Sequence, residues 1–228
     1  MAWTCEAVIF DLDGVLVDSN AISERHMHAW AARHGIDFAR IAAIHHGRPT
    51  VETVRLVAPH LDADAEARGI DADERADTCG LRAFAGATRL LAALPAGRWA
   101  IVTSGTRPMA TTRLRAVGLT QPDVLITADD VERGKPAPDP YRLAMQRLAV
   151  APARSIVIED APAGIASGRA AGARVIAVAA TLPAAVLAEA DVVLASLDDL
   201  EVVTRADDIA VAWRAAGPMR TGARYTEP

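Results

Sequence analysis

The stretch AVIFDLDGVLVDSN, residues 7–20, joins a short apolar run to a pair of carboxylates. The run 7–10 is continuously apolar, as is typical of a strand buried on both faces of a parallel sheet. Asp11 and Asp13 follow where the run ends, and residues two positions apart on an extended chain project to the same side. Because Gly14 lets the backbone turn away, we predict that both carboxylates face one pocket at the end of this strand.

Four further apolar runs have the same character and predict the other strands of the same sheet. These runs are WAIVT (99–103), VLIT (124–127), SIVIE (155–159) and RVIAVA (174–179). Helical patterns lie between them at 107–117, 138–149 and 161–171, and a terminal hairpin is expected in EVVTRADDIAVAW (201–213). Strands that alternate with helices at this spacing indicate an α/β fold with a doubly wound, Rossmann-like parallel sheet.

The interval between the first two predicted strands breaks this alternation. Apolar residues such as Ile22 and Trp30 recur there at helical spacing, and a structureless loop of this length is uncommon in a compact domain. We therefore predict a small helical cap, residues 17–87, inserted after the first strand. The discontinuous α/β core then consists of residues 1–16 and 88–228.

The composition and charge of the chain limit the classes of protein to which it can belong. The chain has 228 residues and a formal net charge of −5, and its basic residues are scattered singly. This pattern offers no basic surface for nucleic acid or anionic lipid, and no window reaches the ~18 apolar residues of a membrane span. Cys5 and Cys79 are interpreted as free thiols. We expect a cytoplasmic protein, a monomer or weak dimer, that binds neither nucleic acid nor membrane.

Polar residues also follow the second and third predicted strands. Ser104, Gly105 and Thr106 combine two hydroxyl groups with the free amides of a helix start, which suits an anionic substrate. Lys135 stands between a glycine and a proline and would place a fixed positive charge beside the carboxylates. In an open parallel sheet, the functional crevice lies beyond the carboxyl ends of the strands, where all of these residues are expected.

Glu159 and Asp160 follow the fourth predicted strand and open a helix. They can complement the helix dipole, or they can supply the hard oxygen ligands that Mg2+ prefers. Each of the four motifs also has a purely structural explanation, such as a solvated turn, an N-cap or a solvated charge. Their convergence on one edge of the sheet nevertheless indicates a functional site.

The four motifs together resemble those of the haloacid dehalogenase-like hydrolases, specifically the small-sugar phosphatase branch. They are FDLDGVLVDS, VTSGT, GKPAPDPY and EDAPAGIASGRAAG, in the order found in that family and spread over nearly the whole chain. The surrounding sequence is also similar to hexitol phosphatases and glycerol-phosphate phosphatases. The resemblance implies hydrolysis of a small phosphorylated metabolite, a sugar or polyol phosphate monoester, through an aspartyl-phosphate intermediate.

The resemblance also implies a role for each core residue. Asp11 would be the nucleophile, and Asp13 would protonate the leaving sugar oxygen and then activate water. Ser104, the amide of Gly105 and Lys135 would hold the transferring phosphoryl oxygens.

The implied cofactor is Mg2+. Its ligands would be the Asp11 carboxylate, the Asp13 backbone carbonyl and Asp160, with Glu159 bound directly or through water. The cation would let these acidic groups approach an anionic substrate.

The segment HHGRPT, residues 45–50, is the candidate for recognising the part of the substrate that is not phosphorylated. Gly47 and a following proline restrict its shape, which leaves His46 and Arg48 as donors on a short turn between two helical stretches. The alternative interpretation is a solvated polar loop.

Three other functions use similar motifs. A sugar phosphomutase of the β-phosphoglucomutase type has the same core motifs but must hold a second phosphate in its cap. A haloacid dehalogenase needs neither Asp13 nor Mg2+, so the presence of Asp13 counts against it. A binding module without catalysis is the least favoured, because every chemical position carries a competent residue.

Overall fold

The structure is a computed structural model that describes residues 1–45 and 47–214. The strands are β1 (Ala2–Cys5), β2 (Ala7–Phe10), β3 (Val17–Asp18), β4 (Arg82–Ala83), β5 (Trp99–Val102), β6 (Val124–Ile126), β7 (Ser155–Glu159), β8 (Arg174–Val178), β9 (Val192–Leu194), β10 (Leu200–Thr204) and β11 (Ile209–Trp213). The helices are α1 (Asn20–His34), α2 (Phe38–Ala42), α3 (Thr50–Val57), α4 (Ala63–Ala76), α5 (Ala87–Ala93), α6 (Arg107–Ala116), α7 (Asp139–Arg147) and α8 (Pro162–Ala170). Within the described residues, none of these helices has both the length and the apolar character to cross a membrane.

The central sheet has six parallel strands in the order β6-β5-β2-β7-β8-β9, which confirms the predicted doubly wound α/β fold. Val8 and Phe10 of β2 pack into one hydrophobic cluster and Ile9 into another, so the whole run is buried. The chain builds one side of the sheet from β2 and then returns to build the other side from β7. Such a reversal leaves a crevice at the carboxyl end of β2.

Helices α1 to α4 occupy the interval that the sequence predicted to be helical. They bury a hydrophobic cluster of their own, which includes Trp30, Ile41, Val54 and Ile70. The two-residue strands β3 and β4 pair in antiparallel fashion where the chain enters and leaves this segment. We retain the cap boundaries at residues 17 and 87 as a proposal, and the β3–β4 pairing supports them.

A second sheet joins distant parts of the chain. Its strand order is β1-β11-β10, and β10 and β11 form the predicted terminal hairpin. The rings of Trp3 and Trp213 meet edge to face with centroids 4.8 Å apart. The sequence did not indicate β1, so the run Ala7–Phe10 is the second strand of the chain and not the first.

Candidate active site

Asp11 and Asp13 lie together at the carboxyl end of β2. The amide of Asp11 donates a hydrogen bond to the carbonyl of Ile158 at 2.9 Å, which fixes the nearby chain against β7. Both carboxylates line one cavity of about 90 Å3, as the sequence predicted. Gly14 is required here because a Cβ atom would lie 2.0 Å from an oxygen of Asp160, and its φ angle is +89°.

Lys135 is buried behind Asp11. Its ammonium group contacts the Asp11 carboxylate, donates to Glu159 Oε1 at 2.7 Å and donates to the carbonyl of Val102 at 3.2 Å. Burial alone would lower the pKa of Lys135, but the charges of Asp11 and Glu159 outweigh it and raise this pKa. Only 1% of the residue is exposed, and its predicted contact with the phosphoryl oxygens stays a prediction.

Glu159 is held rigidly by the protein around it. Its Oε1 accepts hydrogen bonds from Lys135 and from the hydroxyl of Tyr141, each at 2.7 Å. Its Oε2 accepts from the amides of Asp160 at 2.9 Å and Ala161 at 3.2 Å. A Cβ atom at position 164 would lie 1.7 Å from Oε1, so Gly164 provides the space that this carboxylate occupies.

The carboxylates of Asp11, Glu159 and Asp160 form an acidic cluster. One oxygen from each lies within 4.8 Å of the others, and all three residues are buried. Burial, followed by the charge of Glu159, raises the pKa of Asp160 to about 7, although Thr181 donates a hydrogen bond to it at 2.5 Å. Burial and the neighbouring carboxylates also raise the pKa of Asp11, against the opposing charge of Lys135. This set of hard oxygen donors therefore fits a bound divalent cation.

Asp13 has a different set of partners. Its Oδ1 accepts from Ser19 at 2.7 Å and pairs with Arg113 at the same distance, while its Oδ2 accepts from Thr103 at 3.3 Å. The other end of the Arg113 guanidinium pairs with Glu74 at 2.6 Å. These residues were not identified from the sequence as part of the site, because each has the pattern of an ordinary polar residue near or within a helix or strand. They are Ser19, Thr103, Arg113 and Glu74.

The remaining predicted residues occupy different positions. Ser104, Gly105, Gly47 and Arg48 line the cavity, and Ser104 Oγ donates to the carbonyl of Gly47 at 3.0 Å. Thr106 is the N-cap residue of α6 and lies in a separate surface depression instead.

Thr103, one residue after β5, lies on the cavity wall, whereas the predicted Thr106 does not. His46, the other predicted donor of the loop, lies outside the described residues. Arg48 reaches the carbonyl of Ile44 at 3.3 Å and the carboxylate of Glu52 at 3.8 Å.

Helices α1 and α4 complete the cavity wall on the side opposite the sheet. They contribute Asn20, Ser23, Asp71 and Glu74, which the sequence did not indicate. Burial raises the pKa of Asp71, and its carboxylate accepts a long hydrogen bond from Thr50, at 3.4 Å. This wall therefore presents carboxylate, amide and hydroxyl groups to whatever enters the cavity.

Comparisons with known proteins agree with this arrangement. A family model described as haloacid dehalogenase-like hydrolase matches residues 5–172. Hexitol phosphatase A of Escherichia coli (strain K12) is 45% identical over 203 residues, which cover 87% of this chain and 94% of the relative. Glycerol-1-phosphate phosphohydrolase 2 of Saccharomyces cerevisiae is 35% identical over 188 residues, which cover 77% of this chain and 75% of the relative.

The fold also has close counterparts among solved structures. The crystal structure of CbbY from Rhodobacter sphaeroides in complex with phosphate superimposes with a TM-score of 0.72 and 24% sequence identity. The match covers 85% of this chain and 95% of that one, and it shows the same fold. The chain belongs to the haloacid dehalogenase-like hydrolase family.

Proposed function

We propose that the protein is a Mg2+-dependent phosphatase that hydrolyses the phosphate monoester of a small sugar or polyol. The observation that carries this proposal is that Asp11 and Asp13 line one cavity together with Asp160 of the acidic cluster and with Ser104 and Gly105. A nucleophilic carboxylate, an acid beside it and donors for an anion are the groups that such a hydrolysis needs.

Asp11 is the nucleophile in this proposal. Its carboxylate attacks phosphorus, the bond from phosphorus to the sugar oxygen breaks, and an aspartyl phosphate forms. The contact with Lys135 supports this role, because a buried carboxylate must stay ionised to attack. Water then cleaves the aspartyl phosphate, and inorganic phosphate leaves.

Asp13 transfers the protons of both steps. It gives its proton to the departing sugar oxygen, and as a carboxylate it then takes a proton from the attacking water. Ser104 and Gly105 lie on the cavity wall, where the Ser104 hydroxyl donates to the carbonyl of Gly47 and the Gly105 amide donates to the Thr103 hydroxyl, each at 3.0 Å. We propose that both donors turn to the phosphoryl oxygens when substrate binds. The buried ammonium group of Lys135 pairs with Asp11 and Glu159 and so holds both carboxylates in place.

We propose that the cation of the acidic cluster is Mg2+, because carboxylates are the hard oxygen ligands that Mg2+ prefers, and it would neutralise the charge of the carboxylates and the phosphoryl group. We propose that Asp11, Asp160 and the backbone carbonyl of Asp13 hold it. Glu159 takes an indirect part, through water or by positioning Lys135. Each of the two carboxylate oxygens of Glu159 already accepts two hydrogen bonds from the protein, which supports this assignment.

The cavity favours an uncharged polyol as the second half of the substrate. Its small volume suits a compact molecule, and Asp71, Glu74 and Asn20 can accept or donate hydrogen bonds to hydroxyl groups. Arg48 can add a donor from the 47–50 turn, which retains the predicted role of that loop. The two curated relatives are by name a hexitol phosphatase and a glycerol-1-phosphate phosphohydrolase, which supports this substrate class.

A phosphate-release assay tests the proposal. Purified protein is incubated with glucitol, mannitol, glycerol and hexose phosphates, each with Mg2+ and with EDTA. We expect release of phosphate that requires Mg2+, and loss of turnover in Asp11→Asn with an unchanged circular dichroism spectrum. Activity that persists in Asp11→Asn would overturn the covalent route.

The same assay separates the phosphatase from the mutase. The mutase would convert β-glucose 1-phosphate into glucose 6-phosphate in the presence of a bisphosphate activator and would release little phosphate. We expect the opposite result. The carboxylate of Asp71 on the cap side of the cavity disfavours a second phosphate beside it.

We also propose that the protein acts as a cytoplasmic monomer or weak dimer. The large apolar side chains that are exposed among the described residues are Met1, Leu56, Val186 and Val203. They belong to separate parts of the chain, whereas a stable interface needs a contiguous apolar patch. Light scattering after gel filtration checks this, and a concentration-independent dimer mass would contradict it.

A further inference from the structure

Arg113 connects the predicted acid to the helical cap. It lies on α6, and its side chain is only 8% exposed. One guanidinium nitrogen lies 2.7 Å from Asp13 Oδ1, and another lies 2.6 Å from Glu74 Oε2 on α4. The buried Arg113 side chain therefore contacts both Asp13, at the carboxyl edge of the central sheet, and Glu74, in the helical cap.

The contacts around these two carboxylates extend the connection. Ser19, the residue before α1, donates to the same oxygen of Asp13 as Arg113 does, at 2.7 Å. Ser23, in the first turn of α1, donates to Glu74 at 3.2 Å. Each of the two carboxylates that pair with the guanidinium thus also accepts a hydrogen bond from a hydroxyl group at the start of the cap segment.

The geometry leaves one oxygen of Asp13 less engaged than the other. Among the residues that the structure describes, Oδ1 has short contacts with Arg113 and Ser19, whereas Oδ2 has one longer contact, with Thr103 at 3.3 Å. One guanidinium nitrogen of Arg113 and the Ser19 hydroxyl both contact Oδ1, and together they hold this oxygen in place and set the direction of the carboxylate. Oδ2 is therefore the oxygen free to exchange a proton with a substrate.

We propose that Arg113 is a positioning residue that makes the orientation of Asp13 depend on the seating of the cap through Glu74. This inference rests on the proposed phosphatase function and assigns Arg113 no contact with the reacting atoms. When Glu74 is in place, the guanidinium is held at both ends and Asp13 is directed toward the leaving oxygen. When Glu74 is displaced, the guanidinium loses one anchor, and a buried charge without its partner is costly.

The test compares substrates that differ in their need for an acid. Phenyl phosphate and p-nitrophenyl phosphate have similar shapes and carry no sugar hydroxyl groups. Phenolate is the poorer leaving group and needs protonation more, so the ratio of their kcat/KM values reports the acid function of Asp13.

We expect Arg113→Lys to lower kcat/KM for phenyl phosphate by about 10-fold or more and that for p-nitrophenyl phosphate by less than about 3-fold. Glu74→Gln should change the ratio in the same direction but less, because the amide oxygen can still accept from Arg113. Asp13→Asn serves as the reference for the full effect. Arg115→Lys is the matched control, since Arg115 is exposed on the same helix, and it should leave both values unchanged.

Each other outcome overturns the proposal. Equal losses on both aryl phosphates would show that Arg113 acts on folding or phosphate binding. A loss confined to a polyol phosphate would show that it contacts substrate hydroxyl groups. An effect of Arg113→Lys without any effect of Glu74→Gln would remove the coupling to the cap.

Urea unfolding of each variant separates a change in stability from a change in positioning. If Arg113→Lys does not fold, Glu74→Gln alone decides the question, because an unchanged ratio in that variant refutes the coupling. A wild-type protein that released phosphate from none of the substrates would instead refute the proposed function, which is a different result.

Discussion

Replacing Lys135 by Met tests whether the buried ions behind the nucleophile stabilise the fold. Lys135 lies 2.7 Å from Glu159 Oε1 and also contacts Asp11, and it is 1% exposed. At an effective dielectric constant of about 20, opposite charges at such a distance attract by roughly 6 kcal/mol. The cost of burying the charges offsets much of this attraction, and removing one partner of a buried pair typically costs about 3–5 kcal/mol.

We therefore expect Lys135→Met to lower the free energy of unfolding by about 3–5 kcal/mol at neutral to alkaline pH in EDTA. The assay is urea denaturation followed by tryptophan fluorescence. The deficit should shrink as the pH falls, because burial has raised the pKa of Asp11 and protonation neutralises the charge that has lost its partner. The double variant Lys135→Met, Glu159→Gln should recover part of the loss, since it removes one unpaired carboxylate.

Two results would refute this reasoning. A loss below about 1 kcal/mol at alkaline pH would show that the cluster contributes no more than a surface ion pair does. A deficit that did not change with pH would show that the missing packing of the lysine stem, and not its charge, explains the loss.

The remaining predictions use three other features of the site. Gly164→Ala should destabilise the protein by about 2–4 kcal/mol in urea unfolding, because its Cβ would lie 1.7 Å from Glu159 Oε1. Its control Gly69→Ala, in α4 with nothing within 4 Å, should stabilise it by about 0.5–1 kcal/mol, and similar effects at the two sites would contradict the prediction. The pKa of Asp160 is raised from 3.8 to about 7, so metal-free stability should fall as the pH rises through this window. Mg2+ competes with that proton, so it should raise Tm more at about pH 8 than at about pH 5.5, and an equal rise in thermal melts would be inconsistent with Asp160 as a ligand. Asp71→Asn should lower kcat/KM for a polyol phosphate by about 10-fold while leaving p-nitrophenyl phosphate nearly unchanged, whereas equal losses would assign Asp71 to the structure of the cap.

The sequence predicted the strands of the central sheet where both faces of a strand are buried. In β2 and β7 every residue is buried, so the apolar run is unbroken and easy to find. The strand β9 has three residues and is only partly buried, and it was not predicted. The strand β1 mixes exposed and buried residues, and its partner β11 lies at the far end of the chain.

Within the site, the residues at the ends of strands could be predicted from the sequence, and the residues on helices could not. Residues at the strand ends were found because the topology of a parallel sheet brings such ends together. Arg113 and Glu74 were missed because each reads as a solvated charge on a helix, and their contact joins positions 39 residues apart. Tyr141 was missed in the same way, although it lies inside a motif that was noted.

The amino-acid composition contains one further indication of the site, which the predictions from the sequence did not use. Of the 24 basic residues in the sequence, Lys135 is the only lysine. Its compact ammonium group contacts two carboxylates and a carbonyl in a small buried space. The planar fork of an arginine is larger and would not occupy this position in the same way.

The burial of the only lysine makes amine chemistry a reporter of the fold. Reagents that acetylate or reductively methylate lysine side chains can react with Lys135 only after the structure around it has opened. The rate at which this residue is labelled then measures the free energy of that opening, when reclosing is fast compared with the reaction. Enzymes that attach acetyl or ubiquitin groups to lysine face the same barrier, so in this chain such marks would identify molecules whose active site has already come apart.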